Sequence, residues 1–167
     1  MYPINLISIP VAALIPLAVG MVWFNPKVFG KIWIESSNIN TVNLPKQNVL
    51  LIFALTYFLN LFVAMVVGIL SVHQTGVFGI FAGEIDFMNP NAQSTKDYLA
   101  FMQLYADKFR TFGHGALHGT ISGLFLAIPL ISTHALYEGR GLRYILVNGL
   151  YWVVSMCLMG GIICVWK

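Results

Sequence analysis

The sequence predicts an all-α integral membrane bundle of four transmembrane helices with interfacial amphipathic segments. Two observations carry that expectation. Four long apolar runs occupy residues 4–24, 48–73, 114–138 and 143–166, and apart from histidine their interiors hold no ionisable side chain. A helix rises about 1.5 Å per residue, so about 20 apolar residues cross the ~30 Å hydrocarbon layer, a length that each run meets. Composition agrees: the chain is 58% hydrophobic and 9% charged, whereas soluble domains carry about 25% charged residues. The spans fill more than half of the 167 residues, so residues 1–167 read as a single membrane domain with no room for a separate soluble catalytic unit. The net charge of +3 is scattered. Without a basic stripe there is no nucleic-acid footprint.

The first span, residues 4–24, lacks a basic n-region and ends in Trp23-Phe24-Asn25-Pro26 rather than at a small-residue cleavage site, so it is expected to stay attached. Pro10 and Pro16 each remove a backbone hydrogen bond, from the carbonyls of Leu6 and Ala12, and should bend or loosen this helix. After it, Asn25-Pro26 breaks the helix. Trp23, Phe29 and Trp33 then alternate with Lys27 and Lys31 around Pro26 and Gly30, an interfacial elbow with rings at headgroup level and ammonium groups reaching phosphates.

The second span, 48–73, carries Asn60 near its midpoint, and an amide at that depth needs a partner on another helix. A long loop, 74–113, follows. Ser94 with Asp97 resembles a capping box, and Tyr98, Phe101, Met102, Tyr105, Phe109 and Phe112 recur at helical spacing, so an amphipathic helix is expected over about residues 94–112. Its aromatic face would lie on the bilayer or across the bundle end, or in a partner's groove. The apolar stretch 76–83 before it should be packed or interfacial.

The third span is the unusual one. Gly115, Gly119 and Gly123 recur every four residues and build a seam where another backbone can approach. Beside it runs a second stripe of His114, His118 and Ser122. Imidazoles at i and i+4 lie one turn apart on one face, a spacing that lets a helix offer two nitrogens to one metal. His73, ending the second span on the same side, and a loop acid (Glu84, Asp86 or Asp107) could complete a divalent-metal or proton site. The competing reading is an interfacial hydrogen-bonded pair with no ligand, and no cofactor is required. With no His-Glu-x-x-His element and no nucleophile–base set, an enzyme is not expected. His134, ~24 Å further along the helix, belongs to the other membrane face, where it can join Glu138, Arg140, Arg143 and Asn148 in a clamp between the last two spans.

The fourth span, 143–166, presents Gly149, Cys157, Gly160 and Cys164 within one arc, a second small-residue stripe. The cysteines lie ~10 Å apart along the axis, too far for a disulfide. The two stripes predict a homo-oligomer, most simply a dimer, or a subunit of a larger membrane complex, with the Gly115/Gly119/Gly123 face in close helix contact within or between protomers.

The elbow Trp23-Phe24-Asn25-Pro26, Phe29-Gly30-Lys31 and Trp33, the segment Phe109-Arg110-Thr111-Phe112-Gly113-His114-Gly115-Ala116-Leu117-His118-Gly119, and Asn148-Gly149-Leu150-Tyr151-Trp152 together resemble the bacterial domain-of-unknown-function family 1761. The resemblance implies a small multi-span bacterial membrane protein and carries no activity with it. Lys27, Lys31, Lys46, Arg140 and Arg143 lie on the short-loop side, against Lys96, Lys108, Arg110 and Lys167 on the other. The positive-inside rule then places the short loops in the cytoplasm and both termini on the periplasmic side of the inner membrane. The function expected is a non-enzymatic oligomeric membrane module or accessory subunit. The alternative is a small permease or channel for protons, metal ions or a small solute that uses the membrane-embedded histidines.

Overall fold

The computed structural model describes residues 3–38 and 47–167, and among them every regular element is helical. Lys46, counted above in the charge balance, lies outside the described residues. Three helical stretches are long and apolar enough to cross a membrane: Val49–Ser71, Phe112–Tyr137 and Leu142–Val165, with mean hydropathies of 2.5, 1.5 and 1.8.

The first apolar run is not one helix. It forms α1 (Ser8–Ala12) and α2 (Ile15–Trp23) with a break at Ala13 and Leu14. Pro16 has no N–H to give the carbonyl of Ala12, so the ladder fails here. The neighbouring carbonyls find partners on other helices. Asn60 Nδ2 donates to the Ala13 carbonyl at 3.3 Å, Tyr57 Oη to Pro10 at 3.3 Å and Tyr151 Oη to Pro16 at 2.9 Å. Asn60, only 2% exposed, thereby has the partner that its depth demands.

The elbow is a tight turn. Asn25 Oδ1 accepts the Lys27 amide at 2.9 Å, its carbonyl accepts Gly30 N at 3.0 Å, and Trp23 and Phe29 meet with ring centroids 4.5 Å apart. A Cβ on Gly30 would strike the Phe24 and Asn25 backbone, so only glycine fits. The chain continues as α3 (Gly30–Ser37), with Lys27 and Lys31 exposed.

Helix α4 (Val49–Ser71) opens on Asn48, whose side chain accepts the Leu51 amide, and ends where Val72 turns extended. The long loop is largely helical: α5 (Gln74–Phe81) and α6 (Gln93–Tyr105) form a hairpin. Tyr98, fully buried, packs against Phe78, Phe81 and Phe87 at 6.0, 6.0 and 6.5 Å between centroids. The aromatic face of α6 is therefore turned towards α5. The expected capping box does not form, because Ser94 Oγ donates to the Glu84 carbonyl and Asp97 accepts from the Gln93 amide, 2.7 Å each. Nor does the helix reach residue 112: it stops at Tyr105, and Phe109 sits at a left-handed φ of 64° that no helix continues through.

The third apolar run folds as α7 (Phe112–Ser122), a π-helical turn (Gly123–Ala127) and α8 (Ile128–Tyr137). The wider turn falls just ahead of Pro129, whose ring would clash with the preceding turn of a regular helix. Helix α9 (Leu142–Val165) is the spine of the bundle and packs against all three segments. The glycine seam lies directly on it. A Cβ on Gly115 would strike the Gly160 carbonyl, one on Gly119 the Met156 carbonyl, and one on Gly123 would lie 2.5 Å from Val153 Cα. Gly160 is reciprocally closed by the Gly115 carbonyl, and Gly149 by Ile128. The two stripes thus mate inside one chain. The remaining core is small and aliphatic, built on Ala12, Ala13, Ala64, Val67, Val72, Met159 and Ile163.

At the elbow end, Arg140 pairs with Glu138 at 2.5 Å, donates to the Ser37 carbonyl and lies over the Tyr144 ring at 4.6 Å. The clamp expected there therefore ties the α8–α9 turn to α3. His134 and Arg143 are exposed outside it, and Asn148 bonds the Tyr144 carbonyl of its own helix.

Candidate metal centre

The opposite end of the bundle gathers three of the four histidines. After α4 the extended Val72 (φ −109°, ψ 98°) turns the chain into α5, leaving His73 at the corner, exposed and directed across the start of α7. Thr111 caps α7 by accepting the His114 amide at 3.3 Å, which fixes the first turn and with it the His114 backbone. His118 follows one turn later, and its ring centroid lies 4.6 Å from that of His114. His73 lies 4.9 Å from His114 and 4.8 Å from His118 on the same measure. One ring nitrogen from each of the three lies within 4.8 Å of the others. The convergence expected from spacing is realised, at a rim between the α4–α5 corner and α7 where His114 and His118 are half-buried.

Nε2 of His73 and Nε2 of His114 are 2.9 Å apart, a hydrogen bond in which one ring donates and the other, necessarily neutral, accepts. A metal would replace that proton. Zinc–imidazole bonds of about 2.0–2.1 Å in a tetrahedron place ligand nitrogens about 3.3 Å apart, so the three nitrogens, now within 4.8 Å of one another, would draw closer to share one ion. Three histidines leave a fourth position open, and imidazole suits zinc, cobalt, nickel and copper. The donor set fits such an ion.

The expected loop acid is not among the ligands. Asp107 pairs with Lys167 at 3.1 Å, Asp86 accepts the Met88 amide at 2.9 Å, and Glu84 is exposed and outside the trio. Ser122, on the same stripe, donates to the His118 carbonyl at 2.9 Å and points to no ligand. Cys157 and Cys164 are free thiols; Cys164 Sγ lies 3.4 Å from the Phe109 carbonyl and 3.6 Å from that of Ser71.

Three residues that build the site escape sequence reasoning. Phe109 stacks on His114 (5.0 Å, 17°) and meets His73 edge-on at 6.1 Å. Gln74, buried, donates to the carbonyls of Tyr105 and Lys108 at 2.7 and 3.0 Å, fastening the end of α6 beside His73. Arg110, 7% exposed, donates Nε to Cys164 O at 2.7 Å, Nη2 to Trp166 O at 2.8 Å and Nη1 to Pro3 O. It thus satisfies carbonyls at the C-terminal end of α9, where a cation is also favoured by the helix dipole. Burial pushes its guanidinium down from the ordinary value, while Cys164 and Asp107 act in the opposite sense. The available signal was an arginine flanking a span, two residues before the Phe-Gly-His-Gly motif.

Beside the trio a cavity of about 520 Å³ is lined by His73, Gln74, Val77, Phe101, Tyr105, Lys108 and Phe109.

The profile of the family described as "Protein of unknown function (DUF1761)" matches residues 7–164, and the chain belongs to that family. The match takes in the elbow, all three histidines and α9 almost to its end. No curated protein and no solved structure matches the chain.

Proposed function

We propose that this member of the DUF1761 family is a four-span membrane protein that captures a divalent transition-metal ion at one membrane face through His73, His114 and His118. The observation that carries the reading is the convergence of three imidazole nitrogens from two separate helical segments. α1 and α2 together, residues Ser8–Trp23, serve as the fourth span, since the side chains that bridge their break remove the cost of unsatisfied backbone in lipid. Lys27, Lys31, Arg140 and Arg143 at the elbow end favour the cytoplasm for that end, which puts the histidines on the periplasmic face of a bacterial inner membrane.

A second reading rests on the 2.9 Å contact between His73 and His114. There the trio is a neutral hydrogen-bonded staple between α4 and α7, and the protein is a packing module in an assembly of copies or of other subunits. The small-residue stripes, being engaged with each other within the chain, supply no surface for that assembly. It would use the outward face of α4, of whose apolar window 11% is buried. Elemental analysis and cobalt titration of the purified protein and of a His114→Ala/His118→Ala variant separate the readings. One equivalent bound by the wild type and lost in the variant supports capture; no binding by the wild type leaves the staple.

A further inference from the structure

The cavity next to His73 has a chemistry of its own. Its walls are the rings of Phe101, Tyr105 and Phe109 and the side chain of Val77. Of its polar side chains, Gln74 has its amide nitrogen engaged by the Tyr105 and Lys108 carbonyls. That leaves His73, Lys108 and the Tyr105 hydroxyl. Lys108 Nζ stands over the Tyr105 ring at 5.2 Å and the Phe109 ring at 5.5 Å, and among the described residues it forms no salt bridge. No carboxylate lines the space. A cation would find no counter-charge there, whereas an anion meets an ammonium group held at the rim by two aromatic faces. The volume lies within the usual ~300–1,000 Å³ range of small-molecule sites. Phe109, the wall shared with His114, is also the bulky residue in a left-handed conformation, the kind of backbone outlier that gathers at ligand clamps.

We infer that this cavity binds a small aromatic carboxylate, its ring between Phe101, Tyr105 and Phe109 and its carboxylate on Lys108, facing the open position of the histidine site. The inference rests on the metal reading for that last feature only; recognition by Lys108 and the rings stands without a metal.

The test uses the full chain in detergent micelles, loaded with Co²⁺, whose visible band reports its ligands. Benzoate is the probe, with acetate (charge without ring) and benzyl alcohol (ring without charge) as comparisons. Benzoate should shift the band at concentrations at least about tenfold below acetate, and benzyl alcohol should leave it unchanged. Lys108→Gln should weaken benzoate about fivefold, as expected for a partly exposed ion pair, with Co²⁺ affinity unaltered. Benzoate binding no tighter than acetate, or unaffected by Lys108→Gln, overturns the proposal. If wild-type protein takes up no Co²⁺, the metal reading alone fails. Benzoate is then followed by saturation-transfer NMR on the metal-free protein, where a signal that is absent or indifferent to Lys108→Gln overturns the cavity as well.

Discussion

His73 and His114, 41 residues apart in the chain, meet through their Nε2 atoms at 2.9 Å and so couple the end of α4 to the first turn of α7. The same two nitrogens are what a metal would take, so protons and metal compete for them. Ligating imidazoles must be neutral, so each takes a metal only after its proton has left. Metal affinity is therefore predicted to fall as pH drops from about 7.5 to about 5.5, because protons then compete with the ion for each ring. Cobalt titrations at the two pH values measure it; an affinity that does not change would place the metal elsewhere.

Gly119→Leu is predicted to be the most damaging substitution in the seam. Its Cβ would meet the Met156 carbonyl of α9, a backbone atom that cannot swing aside as a side-chain tip can. Overpacking of this kind costs about 1–3 kcal/mol and more when backbones must part. The thermal midpoint in detergent should fall by many degrees. Gly79→Ala is the control: nothing lies within 4 Å of its would-be Cβ and it sits inside α5, so a gain of about 0.5–1 kcal/mol is expected.

Arg110 is predicted to be irreplaceable by lysine. Three nitrogens of one planar group reach Cys164, Trp166 and Pro3, and a single ammonium cannot span those carbonyls. Arg110→Lys should cost about 1–3 kcal/mol and Arg110→Met more, since each leaves buried carbonyls unpaired. Although burial lowers its pKa, arginine stays charged at any working pH. Its contribution should thus be flat between about pH 5 and 9, in contrast with metal binding. A stability profile of wild type against Arg110→Lys checks this: a difference that changes across that range would contradict it.

Asn60→Leu and Tyr151→Phe each remove one of the side-chain bonds that bridge the α1–α2 break. Each is expected to cost about 0.6–2 kcal/mol, the range for hydrogen bonds between membrane helices. Because both act on the same broken element, the double variant should be non-additive, and strict additivity by thermal unfolding would show that the break is held by something else.

Much of this was legible from spacing. Three of the four apolar runs gave long helices because hydropathy over about 20 residues is a local property, whereas the first is broken at Ala13 and Leu14. The i, i+4 histidines and glycines gave two faces of α7 because helical periodicity fixes which residues share a side. What spacing does not encode is which helix lies opposite. The glycine seam read as a close helix contact within or between protomers, and its mate proved to be Gly160, Met156 and Val153 of the same chain. Arg110 read as one more charge in a loop because its partners are backbone carbonyls, which have no signature in sequence. The loop acids were drawn towards the histidines by proximity in the chain, but Lys167 holds Asp107 and a local turn holds Asp86 elsewhere.

The π-helical turn at Gly123–Ala127 has a consequence for how the length of this span can change. A turn closed by i→i+5 bonds holds one residue more than an α turn. Deleting Leu124, which faces outward, would leave a turn of ordinary length there, kinked where the Pro129 ring meets it. The glycines of α7 would stay against α9 on one side of it, and Ala135 of α8 would stay buried on the other. The same deletion in α9 has no surplus to absorb it and would rotate every following side chain by about 100°. The stretch Phe112–Tyr137 can thus lose one residue without losing register, and α9 cannot.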